Sequence, residues 1–194
     1  MTIIEPRQIA GVAGPETASG SIRRAKHSVR IIGRRGMGSM GWGDGIRKAK
    51  HPVLIIGHRA AEIDIDDKKM LDYLLELAQK GNISVIATPH TNPALLERDY
   101  TKAGIMPAVE IGHRLTDPDW KGIDGKGPYD LAIFAGLPNY MESMILSGLK
   151  HFAPQIMTMT LDNTYQPHAC WSFSNISGRD WLENLKAIIE HVED

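Results

Sequence analysis

Residues 46–57 read Ile-Arg-Lys-Ala-Lys-His-Pro-Val-Leu-Ile-Ile-Gly. A basic stretch runs into a short and almost wholly apolar one, Pro52 to Ile56, and a glycine stops it. A strand covered by helices on both sides has no polar face, so it reads as a continuous apolar run. The segment therefore predicts the central strand of a parallel sheet. Nearly the same twelve residues stand 24 positions earlier, where Ile22 to Gly33 reads IRRAKHSVRIIG, identical at nine positions. Two copies imply a tandem duplication, but solenoids need at least three repeats. The first copy carries Arg30 in its middle, followed by Arg34 and Arg35. An unpaired charge between two helical layers is costly, so the second copy is assigned to the core. Residues 1–45, rich in Gly, Pro, Ala, Ser and Thr up to residue 21, are read as an arm holding the duplicated segment 22–45. Residues 46–194 are read as one α/β domain, and deleting 22–45 is expected to cost little stability.

From there apolar runs and helical periods alternate. Strands are expected at Val53–Ile56, Ile83–Ala87, Ile105–Ile111, Leu131–Ala135 and Ile156–Leu161, with a short final one at Trp171–Phe173. Helices are expected at Asp67–Lys80, Pro93–Ala103 and Pro138–Phe152. A last helix opens on the capping pair Ser177 and Asp180. Residues 113–129 read as a polar loop. The alternation predicts a three-layer α/β/α fold.

A chain of 194 residues with 42% hydrophobic and 23% charged residues is long enough for one buried core. A net charge of -1 gives no pull toward nucleic acid or acidic lipid. No run approaches the roughly 18 apolar residues of a membrane span, and the first residues lack the apolar block of a signal peptide. Cytoplasmic location is the expectation. One cysteine, Cys170, makes no intrachain disulfide and holds no iron–sulfur cluster, which takes about four thiolates.

Several motifs suggest chemistry and fail on inspection. Gly36-Met-Gly38-Ser-Met-Gly41 matches GxGxxG, but Trp42-Gly-Asp-Gly45 follows, and these residues are expected to fray the helix a dinucleotide fingerprint needs. Asp117-Pro-Asp-Trp-Lys-Gly122 starts like a calcium loop, yet Lys121 takes a ligand position and Pro128 replaces the closing glutamate. Eight histidines are scattered without HExxH spacing, so no metal site is predicted. No GxSxG elbow occurs.

In doubly wound sheets ligands bind beyond the carboxyl ends of the strands. That rule selects Gly57, His58, Thr88, His90, Thr91, Gly136, Leu137, Pro138 and Asp162 as candidate nucleotide-binding residues. Gly57 and Gly136 would let a phosphate approach the backbone, and free N–H groups at the following helix starts would hold it. Gly136→Val is expected to abolish dinucleotide binding and to leave assembly intact.

Three segments together carry a resemblance. They are KAKHPVLIIG (48–57), LTDPDWKGIDGKGPYDL (115–131) and YQPHACWSFSNIS (165–177). They resemble the epsilon subunit family of the archaeal acetyl-CoA decarbonylase/synthase complex, whose members carry a DPDW-x-G-x-DGKG-x-YD stretch and a similar C-terminal segment. The likeness spans roughly residues 46–192; the 22–45 segment does not fit it, and His168-Ala-Cys170 departs in detail. It implies a fold like the NAD/FAD-binding domain of deoxyhypusine synthase. It implies a cluster-free, non-catalytic subunit that stabilises a large alpha subunit, a nickel–iron–sulfur CO dehydrogenase, and docks FAD or NAD. Self-association is a further implied partner mode. Competing readings are a stand-alone nucleotide-dependent enzyme, for which the chain is too short, and a pure scaffold with a vestigial pocket.

Overall fold

The apolar run Pro52–Ile56 is the centre of a five-stranded parallel sheet. In the computed structural model, which describes residues 41–193, α1 (Trp42–Lys48) leads into β1 (Pro52–Ile56). Next come α2 (Arg59–Glu62) and a hairpin of β2 (Asp64–Ile65) and β3 (Lys68–Lys69), then α3 (Met70–Lys80) and β4 (Ser84–Ala87). After a 3-10 turn at Pro89–Thr91 come α4 (Asn92–Leu96), β5 (Gly104–Ile105), α5 (Ala108–Thr116) and β6 (Leu131–Ala135). The chain closes with α6 (Asn139–Phe152), β7 (Met157–Thr160) and α7 (Gly178–Glu193).

The sheet order is β5-β4-β1-β6-β7, and every neighbouring pair is parallel. Alternate side chains sort to its two faces. Leu54, Ile56, Val85, Ile133 and Met159 join α1, α3 and α7 in one core. Val53, Ile55, Ile86, Ala132 and Phe134 join α5 and α6 in the other. This is the expected three-layer α/β/α fold, with the second copy of the repeat at its centre. The first copy lies outside the described residues. No described helix is long and apolar enough to cross a membrane.

Several expectations are corrected. Residues 67–69 are not helix: Asp66, at φ 56°, turns the β2–β3 hairpin, and α3 starts only at Met70, where Asp72 accepts the Lys69 N–H at 2.8 Å. The helix expected over 93–103 stops at Leu96, where the Arg98 guanidinium donates to Ala94 O at 2.9 Å and Asp99 turns left-handed at φ 54°. The strand expected over 105–111 is only Gly104–Ile105. Ala108, Ile111, Gly112 and Leu115 are buried at helical spacing, so this stretch is α5 despite its β-branched residues. The loop expected over 113–129 begins after it. Trp171–Phe173 contributes a single bridge, from Trp171 to Met159.

The helix expected to fray is well formed. Gly41 is its N-cap, and Trp42, 1% exposed, and Ile46 anchor it one turn apart in the core. The Trp42 ring stacks on Phe173 at 4.6 Å and meets Trp171 edge-on at 5.9 Å. Gly43 is glycine because a Cβ there would lie 2.7 Å from the His191 ring on α7. A division at residue 45/46 thus falls inside α1, and deleting 22–45 would remove Trp42 from the core. Trp42→Ala is expected to destabilise the protein by about 3 kcal/mol or more in urea unfolding. A loss within about 0.5 kcal/mol, the usual size for a surface change, would show that α1 is not part of the core.

Candidate functional site

β1 sends its chain toward β4 and β6 sends its own toward β7, through α3 and α6 on opposite faces of the sheet. The topological switch therefore lies between β1 and β6, the two strands ending at Gly57 and Gly136, as the sequence placed it. The crevice there is closed by the protein's own backbone. A Cβ on Gly57 would lie 2.2 Å from Gly136 O, and one on Gly136, at φ +70°, would lie 2.6 Å from Ala60 N. Four nearby N–H groups are engaged within the protein. Gly57 N–H donates to Ala135 O at 2.8 Å, Arg59 N–H to Gly136 O at 3.0 Å, and Ala60 N–H to Gly57 O at 3.1 Å. The Gly136 N–H donates to the Asp162 carboxylate at 2.9 Å.

Both glycines thus serve a close approach of two chain segments. The room for a phosphate expected beside them is corrected on this geometry. The other candidates divide into two groups. Thr88 and Thr91 are buried and bond each other through their hydroxyls at 3.0 Å. Leu137 and Asp162 are also buried. His58 and Pro138 are half-buried and His90 is exposed. The rings of His58 and His90 stand 6.1 Å apart, edge to face, on the rim. A dinucleotide pyrophosphate does not fit between Gly57 and Gly136. It would have to displace backbone and face the buried carboxyl group of Asp162.

The residues that sequence reading missed lie directly behind this loop. Glu142, in the first turn of α6, is 0% exposed, and Thr160 and Gln166 are equally enclosed. Gln166 Nε2 donates to Glu142 Oε2 at 3.3 Å and to Asn139 Oδ1 at 3.1 Å. The Gln166 backbone N–H donates to Ser172 Oγ at 2.8 Å. Burial, followed by the nearby Asp162 charge, pushes the Glu142 carboxyl up to about 8. Burial also raises Asp162, against the pull of the Gly136 N–H. A signal was present: Glu142 falls on the same helical stripe as Ile145, Leu146 and Leu149, a carboxylate at a core position.

The DPDW…DGKG…YD segment and the Lys-His-Pro before β1 meet at the opposite, amino-terminal edge of the sheet. Asp130 accepts the Lys50 N–H at 2.7 Å and the His51 N–H at 2.9 Å. The His51 ring bonds Asp124 at 3.0 Å and Pro128 O at 3.2 Å, and it lies on Tyr129 at 4.3 Å. The Tyr129 hydroxyl accepts the Ile123 N–H at 3.0 Å, and Trp120 stands edge-on to its ring at 5.5 Å. These motif residues form a clasp that fastens the loop under β1 and β6. Among the described residues, no three His, Cys, Asp or Glu side chains converge as a metal site would require.

A family model described as CO dehydrogenase beta subunit/acetyl-CoA synthase epsilon subunit matches residues 44–189. The acetyl-CoA decarbonylase/synthase complex subunit epsilon of Methanothermobacter thermautotrophicus is 37% identical over 189 residues, 95% of this chain and 90% of that protein. Its counterpart from Methanothrix soehngenii is 33% identical, over 89% of this chain and 81% of that protein. The one from Methanocaldococcus jannaschii is 30% identical, over 93% and 87%.

The closed crevice changes what a valine at Gly136 would do. It would force a branched residue into a left-handed conformation and against Ala60. Gly136→Val is expected to lose about 3 kcal/mol or more of folding stability, read by urea denaturation. A variant as stable as wild type would show that the space beside Gly136 is open after all.

Proposed function

The chain belongs to the CO dehydrogenase beta subunit/acetyl-CoA synthase epsilon subunit family, and from that premise we propose that it is a non-catalytic epsilon subunit that binds and stabilises the large alpha subunit. The observation that carries this reading is near full-length similarity to proteins each named as subunit epsilon of the acetyl-CoA decarbonylase/synthase complex. A protein that belongs to such a complex has partners of other sequence. Its own side chains are consistent with an accessory role. The sequence has one cysteine, Cys170, which is exposed, and the buried carboxyl groups Glu142 and Asp162 are shut away from any substrate. The motif that marks the family is spent on the clasp beneath the sheet.

The cofactor part of this reading is narrower than the sequence suggested. The crevice between β1 and β6 is unsuited to a pyrophosphate, so FAD or NAD docking is assigned to the rim. There His58, His90 and Pro138 are the accessible members of the candidate set. They are too few and too open to hold a dinucleotide unaided, since such ligands are mostly enclosed by their sites. A surface of the large subunit would complete the site.

Two measurements test the proposal. Co-expressed with the large alpha subunit of the complex, the chain is expected to elute with it as one species and to raise its thermal stability. Separate elution would contradict the assignment. Supplied with nickel, iron and sulfide but without the large subunit, the chain is expected to give no CO-dependent viologen reduction. Activity from the chain alone would overturn its non-catalytic role.

A further inference from the structure

Glu142 and Asp162 lie together at the carboxyl edge of the sheet, one on α6 and the other just beyond β7. Gly136 N–H and Gln166 Nε2 each donate one hydrogen bond to the pair. Three buried oxygens beside them have no partner: Glu142 Oε1, Thr160 Oγ1 and Gln166 Oε1. Thr160 brings one hydroxyl proton, enough for one of the other two oxygens, so one acceptor still lacks a donor in a place where an unmade hydrogen bond is expensive. One more donor is needed, and a proton on one carboxyl supplies it.

We infer that Glu142 and Asp162 share a single proton that acts as a latch on the strand-end loops. Glu142 holds it and donates to the Asp162 carboxylate, whose charge is favoured by the Gly136 N–H and by Arg59 at the start of α2. In this state the β6–α6 loop, the end of β7 and the loop carrying Gln166 are bonded into one unit. When the proton leaves to solvent, two enclosed negative charges face each other, with only Gln166 Nε2 and the Thr160 hydroxyl to serve Glu142. Repulsion between them then drives the three segments apart.

The sign of the pH effect follows from the proton affinity of Glu142, whose folded value of about 8 lies above its ordinary 4.5. The bonded state takes up the proton more tightly than an opened one. Its advantage is complete at acid pH, declines as pH rises toward about 8, and is level beyond. The surrounding groups do not supply this transition. β6 and β7 carry no ionisable side chain. On α5, packed along α6, Glu110, His113 and Arg114 are exposed, and Glu110 pairs with Arg114 at 3.3 Å. Lys150 and His151 sit in the last turn of α6, far along the helix from Glu142. On the third loop Tyr165 and Cys170 are exposed, while His168 is half-buried with an unpartnered Nδ1 and is present alike in wild type and in the Glu142→Gln variant.

The test combines infrared spectroscopy with hydrogen exchange on the full chain. At neutral pH wild-type protein is expected to show the carbonyl band of a protonated carboxylic acid. That band is lost in Glu142→Gln and disappears from wild type above the transition. Protection of amides 163–177, corrected for intrinsic exchange, is expected to fall by up to about tenfold per pH unit below the transition and to level off above it. In Glu142→Gln, whose amide stands in for the protonated acid, protection should not change with pH. If that variant does not fold, the wild-type band and wild-type protection still decide. Absence of the band at neutral pH, or flat protection in wild type, overturns the latch.

Discussion

The close contact of Gly57 with Gly136 is the constraint on which the carboxyl edge of this protein depends. Two adjacent central strands end at the same level, and their chains leave toward opposite halves of the sheet. In such folds that divergence opens a crevice. Here the backbone after β6 leans over the backbone after β1 with no room for a side chain on either. Once the contact is made, the N–H groups of Gly57, Arg59, Ala60 and Gly136 all find acceptors within the protein. The acceptor for Gly136 must be a side chain, and Asp162 provides it. Burying Asp162 requires an environment that controls its charge, which is where Glu142 and Gln166 enter. One backbone contact thus accounts for a glycine pair, a buried carboxyl pair and the folding of the loop after β7 over them.

The two edges of the sheet divide the work. At the amino edge, Asp130, His51, Asp124 and Tyr129 fasten a glycine-rich loop beneath the strands. At the carboxyl edge, buried polar groups fasten the loops to one another. That arrangement suits a rigid body that is held by a partner, and it agrees with similarity to proteins named as subunits of a complex.

The centre of the sheet was legible because β1 and β6 are apolar throughout. Val-Leu-Ile-Ile and Leu-Ala-Ile-Phe-Ala allow no polar face, so their place between two helical layers follows from composition. Short elements were less legible. Ala108–Thr116 contains Val109 and Ile111, which favour strands locally, and only the 3.6-residue spacing of Ala108, Ile111, Gly112 and Leu115 reveals the helix. Trp42–Lys48 looked too rich in glycine to be helical, because Gly43 answers to α7, distant in sequence. The strand-end rule named the loops at the carboxyl edge and included Asp162. It could not tell a glycine that admits a phosphate from one that admits another strand's loop, since both need the same missing side chain. Glu142 was hidden by its position in a helix's first turn, where an acidic residue ordinarily serves the helix dipole in solvent.

The central claim is that the carboxyl edge of this chain is closed on itself and does not hold a dinucleotide unaided. Equilibrium titration of the purified chain with FAD, and separately with NAD, tests it most directly. The account predicts no saturable binding of either by the chain alone. Saturable binding of one molecule per chain, weakened by changing Thr88 or Asp162 at the buried edge rather than His90 on the rim, would contradict it.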